Sequence, residues 1–292
     1  MTPRPAAFSV LSALSALSAL SVLSVFSVLS AQAAGDMILA TTTSTQDSGL
    51  LDSLLPPFQA ARGVHVKVIA VGTAAALEMA RRGDADAVLV HSPEDERQYV
   101  ESGDLVRGRL IMHNDFLIVG PAGDPAGVGS APDAVEAVRR IARAGAFVAR
   151  GDGSGTEKKE LALWKAAGID PRTIAKREET GQGMGATLFV AEQRQGYTLA
   201  DRATYLALRE RLTVVPLFEG DPVLLNVYHA YLVNPAKHPG VHLEAARAFL
   251  DFLVAPETQR LIGEFGRARL GQPLFVADAG KAESEVGRAV ER

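Results

Sequence analysis

The segment AFVARGDGSGTEKKELALW, residues 146–164, places a strand pattern, a glycine-rich turn and a helix start in immediate succession. Residues 146–149 are a short apolar run suited to a buried strand, and Gly151, Gly153 and Gly155 permit a tight turn with close backbone approach to a ligand. Arg150 stands at the carboxyl end of that strand. Ser154 or Thr156 can cap a helix whose free N–H groups and positive dipole end point into the same loop as the guanidinium. Leu161, Leu163, Trp164 and Ala167 give the helix an apolar face, Gly168 stops it and Pro171 bars its continuation. This is strand-loop-helix, the unit of an α/β fold, with a loop that suits an anion. The same residues also allow a plainer reading, ordinary Asp-Gly-Ser-Gly turn chemistry followed by a surface arginine. The spacing is neither a P-loop nor the G-x-S-x-G frame of a hydrolase nucleophile.

Outward from this stretch, the chain repeats the same grammar. Residues 37–40 are apolar and run into TTTSTQDSG, residues 41–49, after which Leu50, Leu51, Leu54, Leu55 and Phe58 recur at helical spacing. The hydroxyl cluster is therefore predicted to lie on a β-to-α turn, either as a ligand contact or as an elaborate helix cap. VHVKVIAV, residues 64–71, alternates as a strand and ends in Gly72-Thr73 before a helix over residues 74–82. A third strand, residues 87–90, ends in His91-Ser92-Pro93. Strand, helix, strand, helix, strand reads as βαβ units on a parallel sheet, with Thr42, Thr43, Ser44, Thr73, His91 and Ser92 on the rim of strand carboxyl ends where ligands collect.

LIMHNDFLIV, residues 110–119, has a polar centre in an apolar strand and is predicted to cross between two lobes; NVYHAYLV, residues 226–233, carries the chain back. Between them lie GQGMG, residues 181–185, as another glycine-rich helix start, and a helix from Asp201. Helices over 244–253 and 256–265 are assigned to the first lobe, and the tail from about residue 279 is expected to fray. The result is a clamshell with lobe I from 35–113 and 226–292, lobe II from 114–225, and hinges near His113-Asn114 and Leu225-Asn226.

Residues 1–34 carry one charge, Arg4, and a serine at every third position from Ser9 to Ser30, followed by Ala31-Gln32-Ala33. This reads as a signal peptide cut before Ala34 rather than a retained anchor, and implies export. The sequence has no cysteine, so there is neither a disulfide framework nor a lipid anchor at the cleavage site, and a free protein in a periplasm-like space is expected. The formal net charge of −4 is spread without blocks, which speaks against a nucleic-acid partner and requires any anion site to be built locally from a few aimed donors. No metal-ligand spacing occurs; His65, His113, His229, His238 and His242 are scattered and read as structural or exposed.

The motifs TTTSTQDSGLLD (41–52), AVGTAAALEMARRGDADAVLVHSPEDE (70–96), NDFLIVGP (114–121), RGDGSGTEKKELALW (150–164), GQGMGATL (181–188), YTLADRATYLAL (197–208) and EGD (219–221) together resemble the tungstate-binding proteins of ABC importers, in the type II periplasmic binding protein superfamily. The resemblance implies a two-lobe α/β clamshell, each lobe a mostly parallel sheet flanked by helices, with two crossover strands at the hinge. It also implies a monomeric, cofactor-free binder that captures a tetrahedral oxyanion, tungstate or molybdate, and delivers it to an ABC permease in the membrane. Carried onto this chain, the ligand contacts are Thr42, Thr43, Ser44, Thr73, Arg150, Ser154, Gly155 and Thr156. No metal ligand is implied, since the metal is met through its oxygens. One departure is Ala74, where the family often has glycine. Two other functions compete: phosphate binding, because R-G-D-G-S-G-T is also similar to phosphate-binding relatives, and a periplasmic hydrolase using Ser44 or Ser154. Asp152 separates the first two. Tungstate only accepts hydrogen bonds, so Asp152 is expected to fold back onto its own turn, whereas a carboxylate aimed at the ligand would select protonated phosphate.

Overall fold

The computed structural model describes residues 36–286. The expected signal peptide lies outside them. The chain forms β1 (Met37–Thr42), α1 (Thr43–Asp47), α2 (Leu50–Arg62), β2 (Val66–Val71), α3 (Thr73–Arg82), β3 (Ala87–Val90), α4 (Pro93–Glu101) and the long strand β4 (Leu105–Pro121). Next come α5 (Ala134–Ala144), β5 (Ala146–Ala149), α6 (Gly155–Ala167), β6 (Lys176–Glu179), α7 (Met184–Arg194), β7 (Thr198–Asp201), α8 (Arg202–Leu208) and β8 (Val214–Phe218). The return is β9 (Leu225–Val233), α9 (Leu243–Val254), α10 (Pro256–Glu264), α11 (Arg267–Leu270) and β10 (Val276–Ala277).

β4 organises these elements. Its first half belongs to a sheet of order β10-β4-β9-β3-β1-β2, and its second half, from Phe116, pairs with β7 and β8. A single bridge between Phe147 and Tyr197 joins β5, and through it β6, to β7. β9 pairs with the first half of β4 and begins at the junction, where Leu225 faces Asp115. The β1–β2, β1–β3 and β5–β6 pairs are parallel as expected. The sheets as a whole are nevertheless mixed rather than mostly parallel, because every pairing made by β4 or β9 is antiparallel. A chain that crosses out and back must reverse direction at the junction.

Each half of β4 feeds its own apolar core. Phe116 and Ile118 pack with Phe147, Trp164, Tyr197 and Leu199, with the Trp164 and Phe147 rings edge to face at 5.0 Å. Leu105 packs instead with Ala40, Leu77, Val88, Val90 and Val233. Full burial of side chains of this size contributes roughly 1.5–3 kcal/mol each, which holds the strands in register and their carboxyl ends on one rim.

Two further expectations change. The hydroxyl cluster does not form only a turn: Thr42 ends β1 and Thr43–Asp47 make a helical turn of their own, separated from α2 by Gly49 at φ 77°. The tail is ordered well past residue 279: Ala279 N donates to Gln259 Oε1 at 2.9 Å, Asp278 is fully buried against His113, and Glu283–Glu285 form a 3-10 turn.

Candidate functional site

Two sets of elements supply the polar groups. On the β1 side, Thr42 Oγ1 caps α1 by accepting from Thr45 N at 3.2 Å, and lies 2.7 Å from Thr45 Oγ1 and 3.2 Å from Ser44 Oγ. Thr43 is exposed and Ser44 half-buried. At the end of the neighbouring strand β3, the buried His91 places Nε2 2.8 Å from Thr42 Oγ1 and 3.2 Å from Ser44 Oγ. Its Nδ1 lies 2.8 Å from Asn226 Oδ1 on β9, and its ring stacks on Tyr228 at 4.6 Å. Burial pushes the imidazole pKa down, opposed by Asn226, Glu96 and Asp201. With Nδ1–H donated to Asn226, the neutral ring presents Nε2 as an acceptor to the Thr42 and Ser44 hydroxyls.

On the β5 side, Arg150 is only 4% exposed. Its Nε donates to Gln182 O at 2.9 Å, and its Nη2 is ion-paired to Asp152 Oδ2. Asp152 Oδ1 turns back to accept from Ser154 N at 3.2 Å, the fold-back arrangement expected of it. Gly151 and Gly153 take φ of 64° and 71°, a region that glycine enters without strain. Ser154 caps α6 by accepting from Glu157 N, while Glu157 reaches back past the cap to Gly153 N and so ties the glycine loop to the first turn of the helix. α6 ends at Gly168 in the left-handed region, as its sequence predicts.

These two sides meet. Thr43, Ser44, Arg150 and Asp152 line one cavity of about 540 Å³ together with Asp47 and the uncapped start of α7, Gly183 to Ala186. Burial raises the Asp47 carboxyl, Asp201 adds to the rise and Arg150 opposes it. Gly155, the first residue of α6, lies so close to the β1 side that a Cβ on it would stand 3.0 Å from His91 Cε1 and 3.8 Å from Thr73 Oγ1. Thr73 opens α3, is 1% exposed, and its hydroxyl has no hydrogen-bond partner among the described residues. Buried hydroxyls are nearly always satisfied, so such a group marks a polar site.

Of the residues singled out in sequence, Thr43, Ser44 and Arg150 thus share a cavity, and Thr73 and Gly155 approach each other beside His91, where Gly155 and His91 line a separate cavity of about 300 Å³. Thr42 is beneath the turn with its hydroxyl engaged inward, Ser154 is engaged as a cap, and Thr156 is buried in the first turn of α6. Ala74 is exposed on the first turn of α3. The sequence puts His91 on the rim, Asn226 at a hinge and a glycine-rich helix start at residues 181–185, but assigns none of the three to the site. His91 carried a usable signal, its position at the carboxyl end of a strand beside β1. Among the described residues no group of three or more His, Cys, Asp or Glu is placed to hold a metal ion, and no helix is long and apolar enough to cross a membrane.

Known proteins share this architecture. Residues 29–257 match the family model described as a PBP superfamily domain. The tungstate-binding protein TupA of Peptoclostridium acidaminophilum is 45% identical over 253 residues, covering 86% of this chain and 88% of the relative. The solved tungstate-binding protein TupA of Desulfovibrio alaskensis G20 superposes with a TM-score of 0.75 at 41% identity, covering 84% of this chain and 99% of that one. The structure described as the tungstate ABC transporter of Geobacter sulfurreducens gives a TM-score of 0.71 at 46% identity, covering 79% and 98%. With matches of this extent spanning both sheets and the residues that line the cavity, the chain belongs to the PBP superfamily and, within it, to the family of these tungstate-binding proteins.

Proposed function

We propose that this chain is a periplasmic substrate-binding protein that captures tungstate, or molybdate, in the cavity between two lobes and hands it to the permease of an ABC importer. Lobe I is residues 35–113 with 226–292 and lobe II is 114–225, so that β4 and the start of β9 form the hinge. The observation that carries the reading is the meeting of the Ser44 hydroxyl turn and the buried Arg150 on one cavity beside the start of α7. A dianion removed from water loses hydration worth tens of kcal/mol by Born estimates, so it needs aimed donors on all sides. Hydroxyls and N–H groups from α1, α3, α6 and α7 with one guanidinium form such a set, and the contacts are Thr43, Ser44, Thr73, Arg150, Gly155 and Thr156, with Thr42 and Ser154 holding the turns beneath them. Calorimetry with tungstate, molybdate, sulfate and phosphate tests this; strong binding of the first two and weak binding of the others is expected. A chain that prefers phosphate, or binds none of the four, does not fit the reading. Tungstate should also raise the melting temperature through its binding free energy.

One observation favours a second reading. Ser44, His91 and Asn226 stand in hydrogen-bonded series, as the nucleophile, base and orienting residue of a hydrolase do. Two features weaken it. The nearer partner of His91 Nε2 is Thr42, at 2.8 Å against 3.2 Å for Ser44, and a neutral asparagine gives an imidazolium no opposing charge. No turnover of p-nitrophenyl esters or phosphomonoesters is expected, and turnover lost in Ser44→Ala would establish the hydrolase.

A further inference from the structure

We propose that oxyanion capture takes up one proton at His91, which turns the hydroxyls of the Thr42–Ser44 turn away from the imidazole and toward the ligand. The inference rests on the oxyanion reading above and extends it to how the donors are aimed. Its basis is a conflict in the hydrogen-bond pattern. Asn226 is fixed from both ends: its Nδ2 donates to Asn114 Oδ1 at 2.7 Å and to Tyr228 Oη at 3.2 Å, which leaves Oδ1 to accept from His91 Nδ1–H. A neutral ring so held can only accept at Nε2, and it consumes one hydroxyl hydrogen from Thr42 or Ser44. An acceptor at Nε2 therefore competes with the ligand for the hydroxyl hydrogens of this turn. A proton on Nε2 reverses the bond: the ring donates to Thr42 Oγ1, Thr42 can pass its own hydrogen to Ser44 Oγ, and Ser44, left with neither Nε2 nor Thr42 as acceptor, turns its hydrogen to the ligand. The proton comes from solvent and no covalent bond changes.

Charge balance points the same way. The cavity holds two carboxylates, Asp47 and Asp152, against the single guanidinium of Arg150, which Asp152 already neutralises. An incoming dianion therefore meets a site without surplus positive charge. The other groups near His91 do not supply it. Tyr228, stacked on the ring from β9, is held protonated by burial. Lys158 of α6 is ion-paired to Asp95, and Lys159 donates to Val223 O at 2.8 Å. Burial holds the ring neutral in the free protein, while Glu96 of α4 and Asp201 at the end of β7 act on it as negative charges and oppose that shift. Glu94 and Glu283, which with His91 line the second, smaller cavity, are acidic residues as well. His91 is the group positioned to gain charge when the dianion arrives.

Calorimetric titration of the purified chain with sodium tungstate between pH 7 and 9, in buffers of different ionisation enthalpy, tests this directly. Uptake approaching one proton per tungstate is expected, with affinity falling by up to about tenfold per pH unit where the ring is neutral in the free protein and charged in the complex. In ¹⁵N spectra the imidazole should change from the neutral Nδ1–H tautomer to the doubly protonated ring on adding tungstate. His91→Gln should abolish the proton uptake and flatten the pH dependence of the affinity that remains. Tungstate heats independent of buffer, or a ring that stays neutral in the complex, would overturn the proposal and leave the oxyanion reading standing; absence of any tungstate heat at all would instead remove the oxyanion reading itself.

Discussion

The two anchors of the cavity solve the same problem by opposite means. The β1–α1 turn is rich in hydroxyls and closely wired: Thr42 bonds Ser44 and Thr45, Thr42 and Ser44 meet His91, and His91 is tied to the β9 strand. The β5–α6 loop is charged and built on glycines with positive φ, and its cation stands with a counter-ion already attached. The first anchor therefore sets geometry and the second sets charge. A site divided in this way selects for size and hydrogen-bonding character on one side and for anionic charge on the other.

The division predicts unequal losses. Arg150→Ala should weaken tungstate binding by roughly 3–5 kcal/mol, about two to three and a half decades in Kd, as for a buried charge pair that loses one partner. Ser44→Ala should cost less, about 1.5–3 kcal/mol, as for one hydrogen bond to a charged group. Calorimetry of both variants beside the parent decides it, and equal losses would erase the distinction between the anchors.

A second prediction probes what stands behind the charged anchor. Burial pushes the Glu160 carboxyl up to about 7, against the pull of Arg177, of Trp164 and of the Arg150 backbone. Its folded value lies above the ordinary 4.5, so between these values the folded state binds more protons than the unfolded one. The contribution of the neutral carboxyl is thus fully present below about pH 4.5 and is lost as pH rises through 7, by about 3 kcal/mol at most. Glu160→Gln should accordingly gain stability relative to the parent on going from pH 5 to pH 8 in denaturant titrations. A difference between the two proteins that does not change with pH counts against this role.

Gly155→Ala tests where the anchors meet. Its Cβ would crowd His91 Cε1 at 3.0 Å, so an overpacking cost of about 1–3 kcal/mol is expected in the form in which the two sides touch. If the cavity opens between the lobes, that cost falls on tungstate affinity and little on the melting temperature of the free protein. A large drop in melting temperature with unchanged affinity would mean that the contact is part of a rigid core.

How far these anchors were legible depended on whether their partners were local. Arg150, its glycines, the Ser154 cap and the Gly168 stop lie within nineteen residues, and cap, strand and helix follow from spacing alone. The wiring of the hydroxyl anchor was not legible, because His91 and Asn226 are 135 residues apart and meet only when β3 and β9 pair. The same holds for His113 with Asp278, 165 residues away, which is why the tail read as free. β6 failed for a different reason: Lys-Arg-Glu-Glu has no apolar alternation, and only its parallel pairing with β5 makes it a strand. α1 was hidden by length, since five residues cannot show a helical period.

The smallest effect is expected at Asp152, where the charged anchor bears on the choice between tungstate and phosphate. Phosphate keeps a proton near neutral pH and needs an acceptor for it, which a carboxylate aimed at the ligand would supply. Asp152 instead spends one oxygen on Arg150 Nη2 and the other on Ser154 N, so its direction is set by its own loop. Asp152→Asn keeps an amide oxygen for Ser154 N and removes one negative charge beside the site. Dianions should then all gain alike, and the ratio of tungstate to phosphate affinity should hold within about threefold, on the order of 0.6 kcal/mol. The measurement is competition calorimetry with both anions on the parent and the variant. A ratio that moves tenfold or more toward tungstate would mean that the Asp152 carboxylate faces the ligand, and would make phosphate the anion this loop was shaped for.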